Sequence, residues 1–194
     1  FKLMVGNIPN FTKIDVLRCF MRFNKNISRH ELAMEMELGE GTVRSILEVL
    51  KSKKLLDSNK KGHFLSKKGE ESLSQINSFV KATKNIASKS LYPDSKKVGM
   101  QLRGIPSLKE TYRLRDMAVK HGADGALILK FDIKLYAPES DYEQGYRELE
   151  KLFDFEKNDV LVMSFSPERR KAENGALAIA ADLIIILKKF ISEL

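Results

Sequence analysis

The feature that most constrains this 194-residue chain is a turn, Asn59-Lys60-Lys61-Gly62, set between two short apolar runs, Leu55–Leu56 and Phe64–Leu65. Turn residues between apolar runs predict a two-stranded ribbon, here with a basic tip. Helical patterns surround it. Ile14, Leu17, Phe20 and Met21 recur at i, i+3, i+6 and i+7, which buries one helix face. Asn24–Asn26 breaks that run, Ser28 suits an N-cap, and Glu31 three residues later completes a capping box. The second helix then buries Leu32, Ala33 and Met36. After Gly39 and Gly41, a third helix carries Val43, Ile46, Leu47 and Leu50 on one face. Beyond the ribbon, Ser66 can cap a fourth helix striped by Leu73, Ile76 and Phe79/Val80.

Charge divides the chain. Lys+Arg number 34 against Asp+Glu 26, a net +8. Phe1–Ser90 holds 17 basic and 9 acidic residues, and Leu91–Leu194 holds 17 of each, so the whole excess falls in the first part. A basic module joined to a neutral one predicts different partners for the two. A hydrophobic fraction of 43% with 11 Gly and 5 Pro excludes a disordered or fibrous chain. The single Cys19 excludes an internal disulfide framework and a cysteine-built zinc site, and points to a reducing, cytoplasmic setting. The longest apolar stretch, Ala176–Leu187, contains Asp182 and runs into Lys188 and Lys189, too short and too charged to span a bilayer. No signal peptide is visible from Phe1 onward.

Three short helices, a basic ribbon and a further helix follow the winged helix-turn-helix order. Glu31-Leu32-Ala33, Thr42-Val43-Arg44, then Leu47, Leu50 and Leu55-Leu56 resemble the winged-helix repressors of the GntR and MarR type. Phe64-Leu65-Ser66-Lys67-Lys68-Gly69 resembles the strand-to-helix step of the MarR and PadR groups. The resemblance spans roughly Lys13–Phe79. Ala33 stands where those families need a small residue at a helix crossing, and Val43 where they bury a β-branched one. One departure is Glu37, at the turn position that is usually Gly; with Gly39 and Gly41 later, a longer or differently shaped turn is expected. The full chain resembles an uncharacterised archaeal winged-helix family with a C-terminal domain of unknown function.

The resemblance implies that the third helix reads the DNA major groove. Its apolar face leaves Glu40, Thr42, Arg44, Ser45 and Glu48 on the opposite side. Arg44 can contact guanine bidentately, worth ~1–3 kcal/mol of discrimination, while Thr42 and Ser45 can reach bases or phosphate. Lys51, Lys53 and Lys54 after that helix, with Lys60, Lys61 and His63 at the wing, would neutralise phosphates.

Val80–Ser90 stays helical in pattern until Pro93, which sets the expected division at 1–90 and 91–194. The second part reads as a strand at Val98–Arg103, then a helix from a Ser107/Glu110 capping box to Lys120 with Gly122 as its C-terminal cap. Ala126–Tyr136 reads as one long strand and Tyr142–Phe153 as helix. Val160–Phe165 reads as a buried central strand. Ser166-Pro167-Glu168 then opens a last helix that runs to the C-terminus. The fold class is α+β: a winged helix-turn-helix joined to a mixed α/β, sensor-like domain.

The second domain shows no catalytic set. Asp116, His121, Asp124, Asp132 and Glu173 lack metal-ligand spacing, no Gly-rich nucleotide loop is present, and Cys19 lies on an apolar stripe. Neither metal nor cofactor is expected. Ser166, Arg169 and Arg170 at the last helix start, joined by Arg103 and Arg113, are a candidate site for a small anionic effector. Gly175, deep in that helix, predicts close packing or a kink. The expectation is a non-enzymatic regulator, a homodimer binding double-stranded DNA and a small-molecule effector, with no membrane partner. An enzyme or scaffold docked through its winged helix is the alternative.

Overall fold

Thr12 and Asp15 start the first element, α1 (Lys13–Phe20). Thr12 Oγ1 accepts the Asp15 N–H at 3.3 Å and Asp15 Oδ2 accepts the Thr12 N–H at 3.0 Å, a reciprocal box that satisfies two orphan donors. In α2 (Arg29–Met36), Ser28 Oγ accepts the Glu31 N–H at 3.1 Å, but the predicted box stays half made. The Glu31 carboxylate takes the Lys25 ammonium instead, at 3.1 Å. Glu37 adopts the left-handed conformation itself (φ 51°), and α3 (Glu40–Ser52) begins three residues later. The turn is therefore short, with strain of roughly 1–2 kcal/mol in place of extra length.

The hairpin forms as β1 (Leu56–Asn59) and β2 (Gly62–Leu65), with Asn59 opposite Gly62 and Lys60-Lys61 as the loop. Asn59 Oδ1 accepts the Lys61 N–H at 2.8 Å, which fixes the tip. Ile27 bridges to His63 and adds a third edge to the ribbon. α4 (Lys67–Phe79) follows. Ser66 Oγ accepts the Gly69 N–H at 3.0 Å and donates to the Lys54 carbonyl at 2.6 Å. A Cβ on Gly69 would sit 2.0 Å from the Leu55 carbonyl oxygen, so the strand-to-helix step requires glycine there. Leu17, Phe20, Leu32, Met36, Ile46 and Leu50 are buried around this frame.

Five strands form the second sheet: β3 (Val80–Ile86), β4 (Lys96–Leu102), β5 (Gly125–Phe131), β6 (Leu135–Tyr136) and β7 (Val160–Ser166). Their order is β3-β4-β7-β5-β6, antiparallel throughout. The apolar run Val160–Phe165 is the central strand, as its composition predicts. The helices are α5 (Thr111–Lys120), α6 (Arg147–Glu150), α7 (Arg169–Leu183) and α8 (Ile185–Glu193). Alternation along β7 sends Leu161 and Met163 to one face, where Leu149 and Phe153 cover them, and Val160, Val162 and Ser164 to the other. On that second face Gly175 of α7 lies against Ser164 and against Ala118 and Ala123. A Cβ there would approach those atoms to 2.5–3.3 Å, so the glycine serves close packing.

The structure describes residues 10–141 and 144–194. The chain divides into two units, one ending at Glu71 and one running from Ser72 to Glu193. The division precedes the expected 90/91 boundary because Val80–Ile86, read as helix, is a strand paired along β4. The long strand at Ala126–Tyr136 is a hairpin, with Phe131 opposite Leu135. Ser107 caps nothing: α5 starts at Thr111, after Glu110 with φ 53°. Of the helix read at Tyr142–Phe153 only Arg147–Glu150 forms, and residues 142 and 143 lie outside the described residues. Ser166 closes β7, Glu168 is the N-cap and α7 starts at Arg169, two residues beyond the predicted Pro167 start. The last helix breaks at Ile184, whose backbone is extended (φ −112°, ψ 111°). Among the described residues, no helix is long and apolar enough to cross a membrane.

Candidate nucleic-acid interface and the predicted effector set

Burial of Val43, Ile46, Leu47 and Leu50 leaves one face of α3 to solvent. Arg44, Ser45, Glu48 and Lys51 are exposed and Thr42 is half-buried. Arg44 Nε lies 3.2 Å from Glu48 Oε1, and both side chains are well exposed. Ser45 Oγ donates to the Gly41 carbonyl at 3.3 Å, and Lys51 Nζ donates to Ser58 Oγ at 3.0 Å. At the start of α3, Glu40 pairs with Arg29 at 3.3 Å and His30 at 3.0 Å. The His30 hydrogen bond holds the Glu40 carboxyl below its ordinary range, helped by the Arg29 charge.

The hairpin tip presents Lys60 and Lys61 to solvent, neither with a side-chain partner among the described residues. His63 is half-buried, its Nδ1 has no hydrogen-bond partner among the described residues, and burial, reinforced by the Lys51 and Arg29 charges, pushes its pKa down. A concavity of about 730 Å³ opens beside the tip, walled by Lys25, Asn26, Asn59, Lys61 and His63.

Beneath this surface lies a pair the sequence pattern did not reveal. Arg18 and Asp15 are both buried, 3.7 Å apart, on consecutive turns of α1. Arg18 also donates to the Met36 carbonyl, the last of α2, and its Nε meets Met36 Sδ at 3.4 Å. One guanidinium thus ties α1 to the end of α2. The Thr12-x-x-Asp15 spacing was the available signal. Cys19 beside it is buried, and that burial pushes its thiol up to about 12, out of thiolate chemistry.

The predicted effector residues do not converge. Lys96 pairs with Ser166 and Leu102 with Val160, so Arg103 follows the opposite end of β7 from Ser166, ~20 Å of strand away. It pairs there with Glu156. Arg113 bonds Glu110 at 2.9 Å; that bond, and after it the Asp182 charge, raises its pKa. Asp182 is at the end of α7 remote from Arg169, ~20 Å along the helix. The opposite end of α5 meets the start of α7, where Gly122 lies against Lys171. Only Ser166, Arg169 and Arg170 stay together, and there Glu168 occupies the N-cap position without a side-chain cap bond, its carboxylate pairing with Lys171.

Other polar groups of this unit serve its own backbone. Glu139 accepts the Glu110 and Thr111 N–H groups at 2.7 and 3.0 Å and the Thr111 hydroxyl at 2.9 Å, capping α5 from 28 residues away. These bonds, the Thr111 amide first, hold its carboxyl below its ordinary value. Lys97 is buried and donates to the Tyr92 and Ser95 carbonyls, both at 2.9 Å. Lys84 donates to the Leu152 carbonyl at 2.5 Å and Lys81 to the Asp154 carbonyl at 2.6 Å. A register shift between Val80 and Ala82 leaves Lys81 as the extra residue of β3, a bulge that re-aims its side chain. Recounted at the observed division, Phe1–Glu71 holds 14 basic and 9 acidic residues, +5, and the remainder 20 and 17, +3. Lys81, Lys84 and Lys89 account for the difference from +8.

Two family models match the chain: residues 13–71 match the PH0730-like N-terminal domain, and residues 94–183 match a domain of unknown function, DUF4443. No curated protein matches it. Among solved structures it is similar to the hypothetical protein PH0730 from Pyrococcus horikoshii OT3, with 26% identity and a TM-score of 0.75 over 93% of this chain and 99% of that one. Across both its units, the chain is thus similar in sequence and fold to an archaeal protein itself described as hypothetical.

Proposed function

We propose that this chain is a DNA-binding transcriptional regulator whose first unit is a winged helix-turn-helix. In this reading α3 enters the major groove and the β1–β2 hairpin lies along the backbone as the wing. The observation that carries it is the pairing of a solvated α3 face bearing Arg44 with a hairpin tip offering two lysines. Element order supports the same reading: three helices, a hairpin bridged at Ile27–His63, then a helix. The wing contributes phosphate contacts through Lys60 and Lys61; Thr42 and Ser45 lie within the first turns of α3, where base edges come within reach. The second unit senses an effector or forms a homodimer, and a two-fold dimer would favour palindromic half-sites.

A mobility-shift titration of the full chain on genomic duplex fragments at several salt concentrations tests this. The expected result is binding that weakens linearly in log affinity against log salt. No binding to any duplex at low salt would overturn the assignment.

A further inference from the structure

The Arg44–Glu48 pair is not explained by helix stability. Within a helix the favourable order places the acid four residues before the base, and here the base comes first. Both side chains are exposed, so the pair gains little from desolvation. Its geometry is selective: Glu48 Oε1 engages Nε of the guanidinium, at 3.2 Å. The Nη1 and Nη2 groups have no partner among the described residues. Those two nitrogens form the fork that matches two acceptors on one planar edge, as guanine presents with O6 and N7. Glu40 behaves differently, because it takes Nη2 of Arg29 and so occupies the fork of that arginine.

We propose that Glu48 is a positioning residue that holds the Arg44 guanidinium by Nε and turns its Nη edge outward, making one guanine the strongest base preference of α3. The proposal rests on the DNA-binding reading above and deepens it. A free arginine on a helix has many rotamers and meets phosphates as readily as bases. Tethering Nε restricts that choice before DNA arrives, which lowers the ordering cost of the base contact. The carboxylate also repels phosphate, so a displaced register is penalised while the guanine contact is kept.

The test uses the full chain. Duplexes are selected from a randomised pool, and the preferred duplex is then competed against versions with each G·C pair swapped. The wild-type chain should show one guanine position worth roughly tenfold or more. Arg44→Ala should abolish that preference. Glu48→Ala should reduce it severalfold without weakening binding to swapped duplexes, and Glu48→Gln, whose amide oxygen still accepts from Nε, should restore most of it. Adding Glu48→Ala to Arg44→Ala should change no base preference further. Full discrimination by Glu48→Ala, or a change of base preference by Glu48→Ala in the Arg44→Ala background, would overturn the positioning role. Salt-dependent binding without any base preference would overturn that role and leave DNA binding standing. No binding at all would overturn both.

Discussion

Lysines in the two units meet different fates. Lys60 and Lys61 stand in water at a hairpin tip, with no side-chain partner among the described residues. Lys81, Lys84 and Lys97, on the longer β3–β4 pair of strands, each donate to a backbone carbonyl. The first kind leaves its charge available to a partner at little conformational cost. The second kind has spent it on the fold. Net charge cannot separate the two: a count by halves places Lys81 and Lys84 in the basic first part alongside Lys60 and Lys61.

Removing a spent cation should cost stability. The largest effect is expected at Arg18→Leu, which removes the cation paired with the buried Asp15 carboxylate and the donor to the Met36 carbonyl. Breaking a buried pair in this way costs ~3–5 kcal/mol. Urea unfolding followed in the first unit reads it, and a loss below about 1 kcal/mol would show that the pair is dispensable. Lys97→Met comes next, at ~1–3 kcal/mol, because two carbonyls lose a donor in a buried setting. That loss belongs to the unfolding of the second unit.

A spent carboxylate should behave likewise with pH. Glu139 has its folded pKa below the ordinary value near 4.5. Its contribution is therefore present above that value and lost as pH falls from there through the lower, folded one. Amide exchange at the first turn of α5 should accelerate across that window. Glu139→Ala, which removes both accepting oxygens, should exchange fast at all pH values; unchanged protection would dismiss the cap. Smallest of all, Lys60→Ala with Lys61→Ala should leave stability within about 0.5 kcal/mol by thermal unfolding, since neither side chain holds anything.

The same contrast explains what the sequence made legible. Patterns governed by neighbours could be read: the stripes of α1 to α3, the Ser66–Gly69 step, and the apolar run of β7, whose burial on both faces needs no alternation. What went unread depends on distant partners. β3 follows Phe79 with no Gly or Pro between, and the bulge at Lys81 breaks the alternation that would mark a strand. The β5–β6 turn at Asp132–Lys134 and the break at Ile184 likewise carry neither residue. The start of α5 is set by Glu139, which no local capping rule can foresee. At the candidate interface, the exposed face of α3 was legible from its buried one. The lowered pKa of His63 was not, because it follows from partial burial and from the Lys51 and Arg29 charges, which folding brings near.

In the proposed function the solvated lysines, and not those bound to carbonyls, meet DNA. Lys60→Ala/Lys61→Ala and Lys81→Ala/Lys84→Ala remove the same charge from the full chain. The salt dependence of duplex binding, measured for both pairs against wild type, separates them. The account predicts that the slope of log affinity against log salt falls by about 2 for the first pair, at ~0.9 per phosphate contact, and is unchanged for the second. Equal changes in slope for the two pairs, or none for the first, would contradict it.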